Sequence, residues 1–182
     1  MPGTRRHITL RFMVAPMDAD VRGRVGAGRM LEWIDKSAYA CAAAWSGHYC
    51  VTAYVGNVRF HQPLHVGDLV EVQARLIHTG TSSMHVSARV RSGNPRTGEL
   101  NLTTECTMVL VGRDNDGHKR AVPPRMPTLS EDVALDTHAQ TMVEIRARLL
   151  RPIPLECRRS STDARRSRGC SAISESSRTR LR

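Results

Sequence analysis

Residues 26–47 read GAGRMLEWIDKSAYACAAAWSG, and this stretch decides the fold. Apolar residues recur in it at steps of three and four, at Met30, Leu31, Ile34, Ala38, Cys41, Ala42 and Trp45. This spacing predicts an amphipathic helix over residues 29–46, about five turns long. Gly47 supplies a C-terminal stop. Alanine and cysteine fill most of residues 38–44, so we expect a sheet to approach the helix backbone closely.

On both sides of this helix, apolar and polar residues alternate, which is typical of β-strands. The alternation predicts one strand over residues 7–14 and four more between residues 50 and 113. In the first of these four, the pattern slips by one residue at Gly56 and Asn57, which indicates a β-bulge. The short connections between the four strands predict antiparallel pairing. A Pro-rich link then leads to a second helix, predicted over residues 130–150.

These elements predict an α+β fold in which a long central helix is wrapped by an antiparallel sheet of about five strands. A sheet edge that no helix covers indicates that another subunit completes the burial. We expect one domain over residues 1–126, a C-terminal helix packed on it over residues 127–150, and a tail over residues 151–182.

The net charge of +10 is concentrated in the tail. Residues 157–182 carry eight arginines and two acidic residues, which leaves only +4 on residues 1–156. The tail has too few apolar residues to offset its ordering entropy, so we expect an Arg/Ser-rich disordered segment. Its arginine pairs are compatible with an anionic partner. Aromatic residues make up only 4% of the chain, which argues against a stacking platform for single-stranded nucleic acid.

Several other classes of protein are disfavoured. The chain has no apolar run of transmembrane length, and no secretory signal is expected at its N-terminus. Its five cysteines form no CxxC motif, which disfavours a disulfide scaffold or a structural zinc site and favours the reducing cytoplasm. GxSxG, P-loop and HExxH motifs are absent. We expect neither a metal site nor a cofactor.

An acidic residue, Asp35, interrupts the apolar pattern of the helix at the border of its buried stripe. A partly desolvated carboxylate costs free energy unless it is paired. Asp35 is therefore either paired with Lys36 or Arg29, or turned to solvent, or held for chemistry. Glu32 is the internal comparison, because it lies on the same helix three residues earlier.

Gly28 lies seven residues before Asp35, at the start of the helix. A helix N-terminus presents unpaired N–H groups with partial positive charge, and glycine lets an oxygen atom approach them closely. A carboxylate and one such amide form a minimal set for hydrolysing an activated acyl group. The alternative is that the glycines merely form a flexible entry to the helix.

Four motifs in this order resemble those of the hotdog-fold acyl-CoA thioesterases. They are the helix stretch GRVGAGRMLEWIDKSA at residues 23–38, VRFHQPLHVGD at residues 58–68, GTSSM at residues 80–84, and Pro123 after DNDG at residues 114–117. The similarity runs from about residue 7 to residue 150. It implies a hotdog fold, a homodimer that commonly assembles into a hexamer, active sites at the dimer interface, and hydrolysis of acyl-CoA to a free acid and CoA.

The resemblance also implies roles for individual residues. Asp35 would be the general base or nucleophile, and Gly28 would supply the oxyanion amide. The remaining candidates are Asp20 for catalysis and Gly26, Ala27, Asn57, Thr81 and Ser82 for substrate binding. Two positions depart from the family pattern: Asp20 stands where many members have asparagine, and Gly26 stands where an aromatic residue or histidine is usual. An acid close to Asp35 would raise one of the two pKa values.

We therefore expect an acyl-CoA thioesterase that acts on fatty acyl-CoA. The alternative is a non-catalytic acyl-CoA-binding module whose basic tail contacts an anionic partner. A hotdog hydratase is less well supported, because its only candidate histidine, His48, lies beyond the helix end. We expect no membrane span and no nucleic-acid partner for the folded domain.

Overall fold

The computed structural model describes residues 2–149. In chain order its elements are β1 (His7–Met13), α1 (Ala27–Ser46), β2 (Tyr49–Phe60), β3 (Leu69–Thr79), β4 (Ser83–Gly93), β5 (Asn101–Arg113) and α2 (Ser130–Leu149). A single turn of 3-10 helix over Pro16–Asp18 lies between β1 and α1. The predicted tail over residues 151–182 lies outside the described residues, as do Cys157 and Cys170.

The five strands form one antiparallel sheet in the order β1-β3-β4-β5-β2. This confirms the predicted α+β architecture of a long helix and a five-stranded antiparallel sheet. The edges are β1 and β2. The predicted bulge is present, because the β2–β5 register shifts between Gly56 and Arg59, and Asn57 has a φ of 52°. A second shift, between Thr52 and Tyr54, was not predicted.

The inner face of the sheet, which we define as the face toward α1, carries the hydrophobic core. Ile34, Ala38 and Cys41 on α1 are fully buried against alternate residues of β3 and β4 such as Val72 and Val86. The helix begins two residues earlier than predicted and ends where expected, since Gly47 adopts the left-handed conformation and its N–H bonds the Ala43 carbonyl. The small side chains in the middle of α1 therefore contact the sheet as predicted.

The outer face of the sheet, on the opposite side, is covered by the first part of α2. Leu135, Ala139 and Met142 recur on α2 at helical spacing, but among these three only Ala139 is fully buried. The other buried contact is charged: Asp132 has no exposed surface and binds Arg6, Arg75 and Arg125. Most side chains on the outer face are polar or charged, and the ion pairs of Asp132 hold α2 against it.

Candidate functional site

Asp35 lies on the side of α1 that borders β2, and its side chain is half-buried. The Thr52 hydroxyl on β2 donates a hydrogen bond to Asp35 Oδ1 over 2.6 Å. A carboxylate oxygen accepts more than one hydrogen bond, and Oδ2 is not used in this contact. The carboxylate is thus held in place by a neutral group, which leaves its charge uncompensated.

The cations near Asp35 in sequence are bound elsewhere. Arg29 and Lys36 both form ion pairs with Glu32, and Arg29 also binds Asp18. Within residues 2–149 no ion pair includes Asp35. Of the readings left open by the sequence, pairing of Asp35 with Lys36 or Arg29 is therefore wrong, and Glu32 is the acid that takes that structural role.

Thr52 was not predicted as a site residue. Only two residues separate α1 from β2, so the strand runs back along the helix. Thr52 is a polar residue between Val51 and Ala53 in the alternating pattern of β2, and this was the only signal for it that the sequence offered. At an edge strand with a bulge, however, sequence alternation does not say which set of side chains meets the helix.

The N-terminus of α1 is open to a ligand. Its cap is Gly26, which has no side chain to bond the first N–H groups of the helix. Gly26, Ala27 and Gly28 are all exposed, and a Cβ built on either glycine would meet no atom within 4 Å. A cleft of about 340 Å³ adjoins this turn, lined by Val25, Ala27, Met30, Phe60, His61, Gln62 and Pro63.

Asp35 and Gly28 do not meet within one chain. Seven residues make nearly two helical turns, so the two lie on the same side of α1 but about 10 Å apart along its axis. An attacking oxygen and an oxyanion donor must each lie about 3 Å from one carbonyl group. Within one chain, the Asp35 carboxylate and the Gly28 N–H therefore cannot both contact the same carbonyl group.

Asp20 serves the loop that precedes α1. Its Oδ1 accepts the backbone N–H groups of Arg22 and Arg24 at 2.9 and 3.0 Å. These hydrogen bonds, Arg24's first, lower the pKa of Asp20. The expected rise in pKa through repulsion from Asp35 is not what the structure gives for Asp20, since the loop amides stabilise its charge.

The remaining predicted contacts lie in two other places. Asn57 lines a cavity at the outer face of the sheet, together with Leu135 of α2. Thr81 and Ser82 lie in the β3–β4 turn. The Ser82 carbonyl accepts the N–H of Gly112 in β5, and the Thr81 carbonyl accepts the N–H of Val122 in the segment after β5. The segment after β5 also contains Pro123, whose carbonyl accepts a hydrogen bond from Trp45 near the C-terminal end of α1. Within one chain, Thr81 and Ser82 therefore lie toward the C-terminal end of α1, apart from Gly28 at its N-terminal end.

Other kinds of chemistry have weaker support among the described residues. Cys41, Cys50 and Cys106 are free and buried, and burial raises the pKa of Cys41 and of Cys106 to about 11. Their thiols are therefore protonated at neutral pH and are not activated nucleophiles.

One group of possible metal ligands occurs in the turn after β5, where Asp114, Asp116 and His118 come within 4.8 Å of one another. Asp114 Oδ1 already accepts the backbone N–H groups of Asp116 and His118, so it closes the turn.

Neither helix within residues 2–149 is long and apolar enough to cross a membrane.

Comparisons with known proteins agree on one family. The family model for the thioesterase superfamily matches residues 23–99. Protein VdlD of Helicobacter pylori is 27% identical over 144 residues, which cover 79% of this chain and 82% of that protein. An uncharacterized acyl-CoA thioester hydrolase of Bacillus subtilis, YkhA, is 29% identical over 126 residues, covering 69% of this chain and 73% of the relative.

A solved structure gives a similar result. The crystal structure of an apo-hexameric acyl-CoA thioesterase superimposes with a TM-score of 0.76 at 33% sequence identity. The match covers 83% of this chain and 98% of that one.

Proposed function

The chain belongs to the hotdog-fold acyl-CoA thioesterase family, and from that premise we propose that it hydrolyses the thioester of acyl-CoA to a free acid and CoA. The observation that carries the proposal is the Thr52–Asp35 contact. It fixes the position of a carboxylate that no cation of residues 2–149 neutralises. The Glu32 carboxylate, in contrast, is bound by Lys36 and Arg29, which lower its pKa and so weaken it as a base.

Asp35 acts as the general base or the nucleophile. As a base, it takes a proton from water through the oxygen that Thr52 does not bind, and the water oxygen attacks the thioester carbon. As a nucleophile, it attacks that carbon itself, and water then hydrolyses the resulting anhydride. In both routes the carbon–sulfur bond breaks, and the CoA sulfur leaves with the electron pair and takes up a proton.

The N–H of Gly28 stabilises the negative charge that develops on the thioester oxygen. Its support is the open first turn of α1, where a helix presents N–H groups with partial positive charge. Gly26 and Ala27 adjoin the same turn and contact the bound substrate. Because Asp35 and Gly28 of one chain are about two turns apart, we assign the two groups around one thioester to different chains.

This assignment requires a homo-oligomer. Edge strand β2 exposes Tyr49, Val55 and Phe60, and its unpaired backbone groups suit a second chain. The structural relative with 33% identity is a hexamer. We propose a homodimer that assembles further, in which Thr81 and Ser82 of one chain approach the CoA portion of substrate bound near the other. Asp20 helps to hold the loop that leads to Gly28, and we propose fatty acyl-CoA as the substrate.

The experiment that tests this proposal replaces Asp35 by asparagine and measures thiol release from a series of acyl-CoA esters. Asparagine keeps an oxygen that can accept the Thr52 hydrogen bond, so the fold is retained. Loss of a general base lowers turnover by about 10²–10⁴-fold. Glu32→Gln is the matched control, since it changes an acid on the same helix that is bound by Arg29 and Lys36.

The outcomes separate the possible functions. Loss of turnover in Asp35→Asn but not in Glu32→Gln supports the assignment. Full activity in Asp35→Asn removes Asp35 from the mechanism. Binding of acyl-CoA by the wild-type protein with no release of thiol would favour the non-catalytic binding module instead.

A further inference from the structure

An open groove runs between α2 and the outer face of the sheet. The helix meets the sheet at two buried residues, Asp132 and Ala139, whereas Leu135 between them is only half-buried. Cavities of about 240 and 380 Å³ lie here, and both are lined by Ser87, Arg89 and Leu135. We call this space the outer groove. The larger cavity falls within the size range of small-molecule sites.

The lining of the outer groove combines apolar and polar groups. In the larger cavity, Leu135 and Met142 of α2 face Ile77 of the sheet, which gives an apolar surface. Polar side chains lie around it, namely Asn57, Arg59, Ser87, Arg89, Glu105, Thr107 and His138. This composition suits a molecule with both an apolar part and a polar head.

Arg89 is the cation at the centre of the groove. Arg89 is exposed, and its side chain forms no hydrogen bond or ion pair with another residue in the range 2–149. Glu105 lies directly opposite Arg89 in the β4–β5 register. The Oε1 atom of Glu105 instead lies 3.9 Å from both Arg59 Nη1 and His61 Nε2. A positive charge thus stands beside an apolar surface without a partner.

The charges of Arg75 and Arg6 act on the other end of the groove. His7 lines the smaller cavity, and its pKa is lowered by burial and then by the charges of Arg75 and Arg6. Glu105 in one cavity and Glu131 in the other limit the charge that the groove accepts, since a multiply charged phosphate would meet both carboxylates.

We propose that the outer groove is a second binding site, for a small carboxylate with an apolar chain. The carboxylate binds the guanidinium of Arg89 in a charge-assisted pair. The chain lies against Leu135, Met142 and Ile77. The site is on the opposite face of the sheet from α1 and Asp35, so it does not depend on the proposed hydrolysis. Asn57, for which the family resemblance implied substrate binding, lines this second site.

The test is isothermal titration calorimetry of the full chain with octanoate as the probe. Octanoate is expected to bind at least about tenfold more tightly than octanol, acetate or inorganic phosphate, since it alone offers both a single charge and a chain. Arg89→Gln is expected to weaken octanoate binding by at least the same factor. Arg91→Gln is the matched control, because Arg91 is an exposed residue of the same strand and lines neither cavity.

Two further measurements distinguish this site from the active site. Asp35→Asn is expected to bind octanoate at the groove as the wild type does, and Arg89→Gln is expected to keep wild-type thioester turnover. Equal octanoate affinity in wild type and Arg89→Gln overturns the proposal, as does tighter binding of phosphate than of octanoate. A change of oligomeric mass in Arg89→Gln, measured by light scattering, also overturns it and identifies the groove as a subunit contact.

Discussion

The two faces of the sheet hold their helices by different physical means. On the inner face, α1 buries Ile34, Ala38 and Cys41 against aliphatic residues, an attraction that is non-directional and independent of pH. On the outer face, α2 is seated through Asp132, which three arginines surround. The difference teaches where each face can change. The helix that carries Asp35 is fixed by shape, whereas the position of α2 depends on charge.

The largest expected loss of unfolding free energy comes from removing the ion pairs at the outer face. Asp132→Ala leaves Arg6, Arg75 and the buried Arg125 without their shared carboxylate. Removing one partner of a buried ion pair costs about 3–5 kcal/mol, because the other charge stays buried and uncompensated. Urea unfolding of the variant at pH 7 measures the loss of unfolding free energy.

Glu131→Ala is the matched control for that loss. Glu131 is the neighbouring residue and also binds Arg75, but its side chain is 69% exposed. Exposed ion pairs contribute about 0–1 kcal/mol, so this variant should unfold almost as the wild type does. Equal losses in the two variants would show that burial of Asp132 is not the source of the stability.

The contrast between the faces also explains what the sequence could predict of the fold. The inner face follows from local patterns, a step of three and four in α1 and a step of two in the strands, so its elements were predicted to within a few residues. The outer face depends on partners far apart in the chain, such as Arg6 and Asp132, which are 126 residues apart. No local period records such a pairing, so the ion pairs of Asp132 could not be predicted.

The candidate site divides in the same way. Asp35 stood out because an acid interrupts an apolar helix, and Gly28 because it lies at the helix start. The sequence could not predict whether Arg29 and Lys36 bind Glu32 or Asp35, since both acids are within reach in sequence. Thr52 was missed because its role depends on how edge strand β2 returns along α1. Roles that require residues from two chains cannot be predicted from the spacing of residues within one chain.

A smaller effect tests whether the inner face is fixed by shape. Ala38 is fully buried where α1 lies against the sheet. Ala38→Leu adds atoms to a filled space and is expected to cost about 1–3 kcal/mol in unfolding free energy. Ala43→Leu, on the half-buried side of the same helix, should cost less. Similar unfolding curves for Ala38→Leu and wild type would show that the sheet does not approach α1 closely.

A pH titration of the Asp132 contribution to stability sharpens the comparison further. The hydrogen bond from Arg6, together with Arg75 and Arg125, lowers the pKa of Asp132 from an ordinary 3.8 to about 2, although burial opposes this. Because the folded pKa is the lower one, acid protonates the unfolded chain first. The contribution of Asp132 to stability is therefore complete above about pH 5 and is lost as the pH falls toward 2.

Asp132→Asn removes this titration, so the difference in unfolding free energy between wild type and variant should shrink as the pH falls from 5 to 3. Urea unfolding at several pH values measures it. Ala38→Leu, on the apolar face, supplies the reference, because its difference from wild type involves no titrating group and should stay constant over the same range. A constant difference for Asp132→Asn as well would mean that α2 is seated by contacts other than the ionised carboxylate.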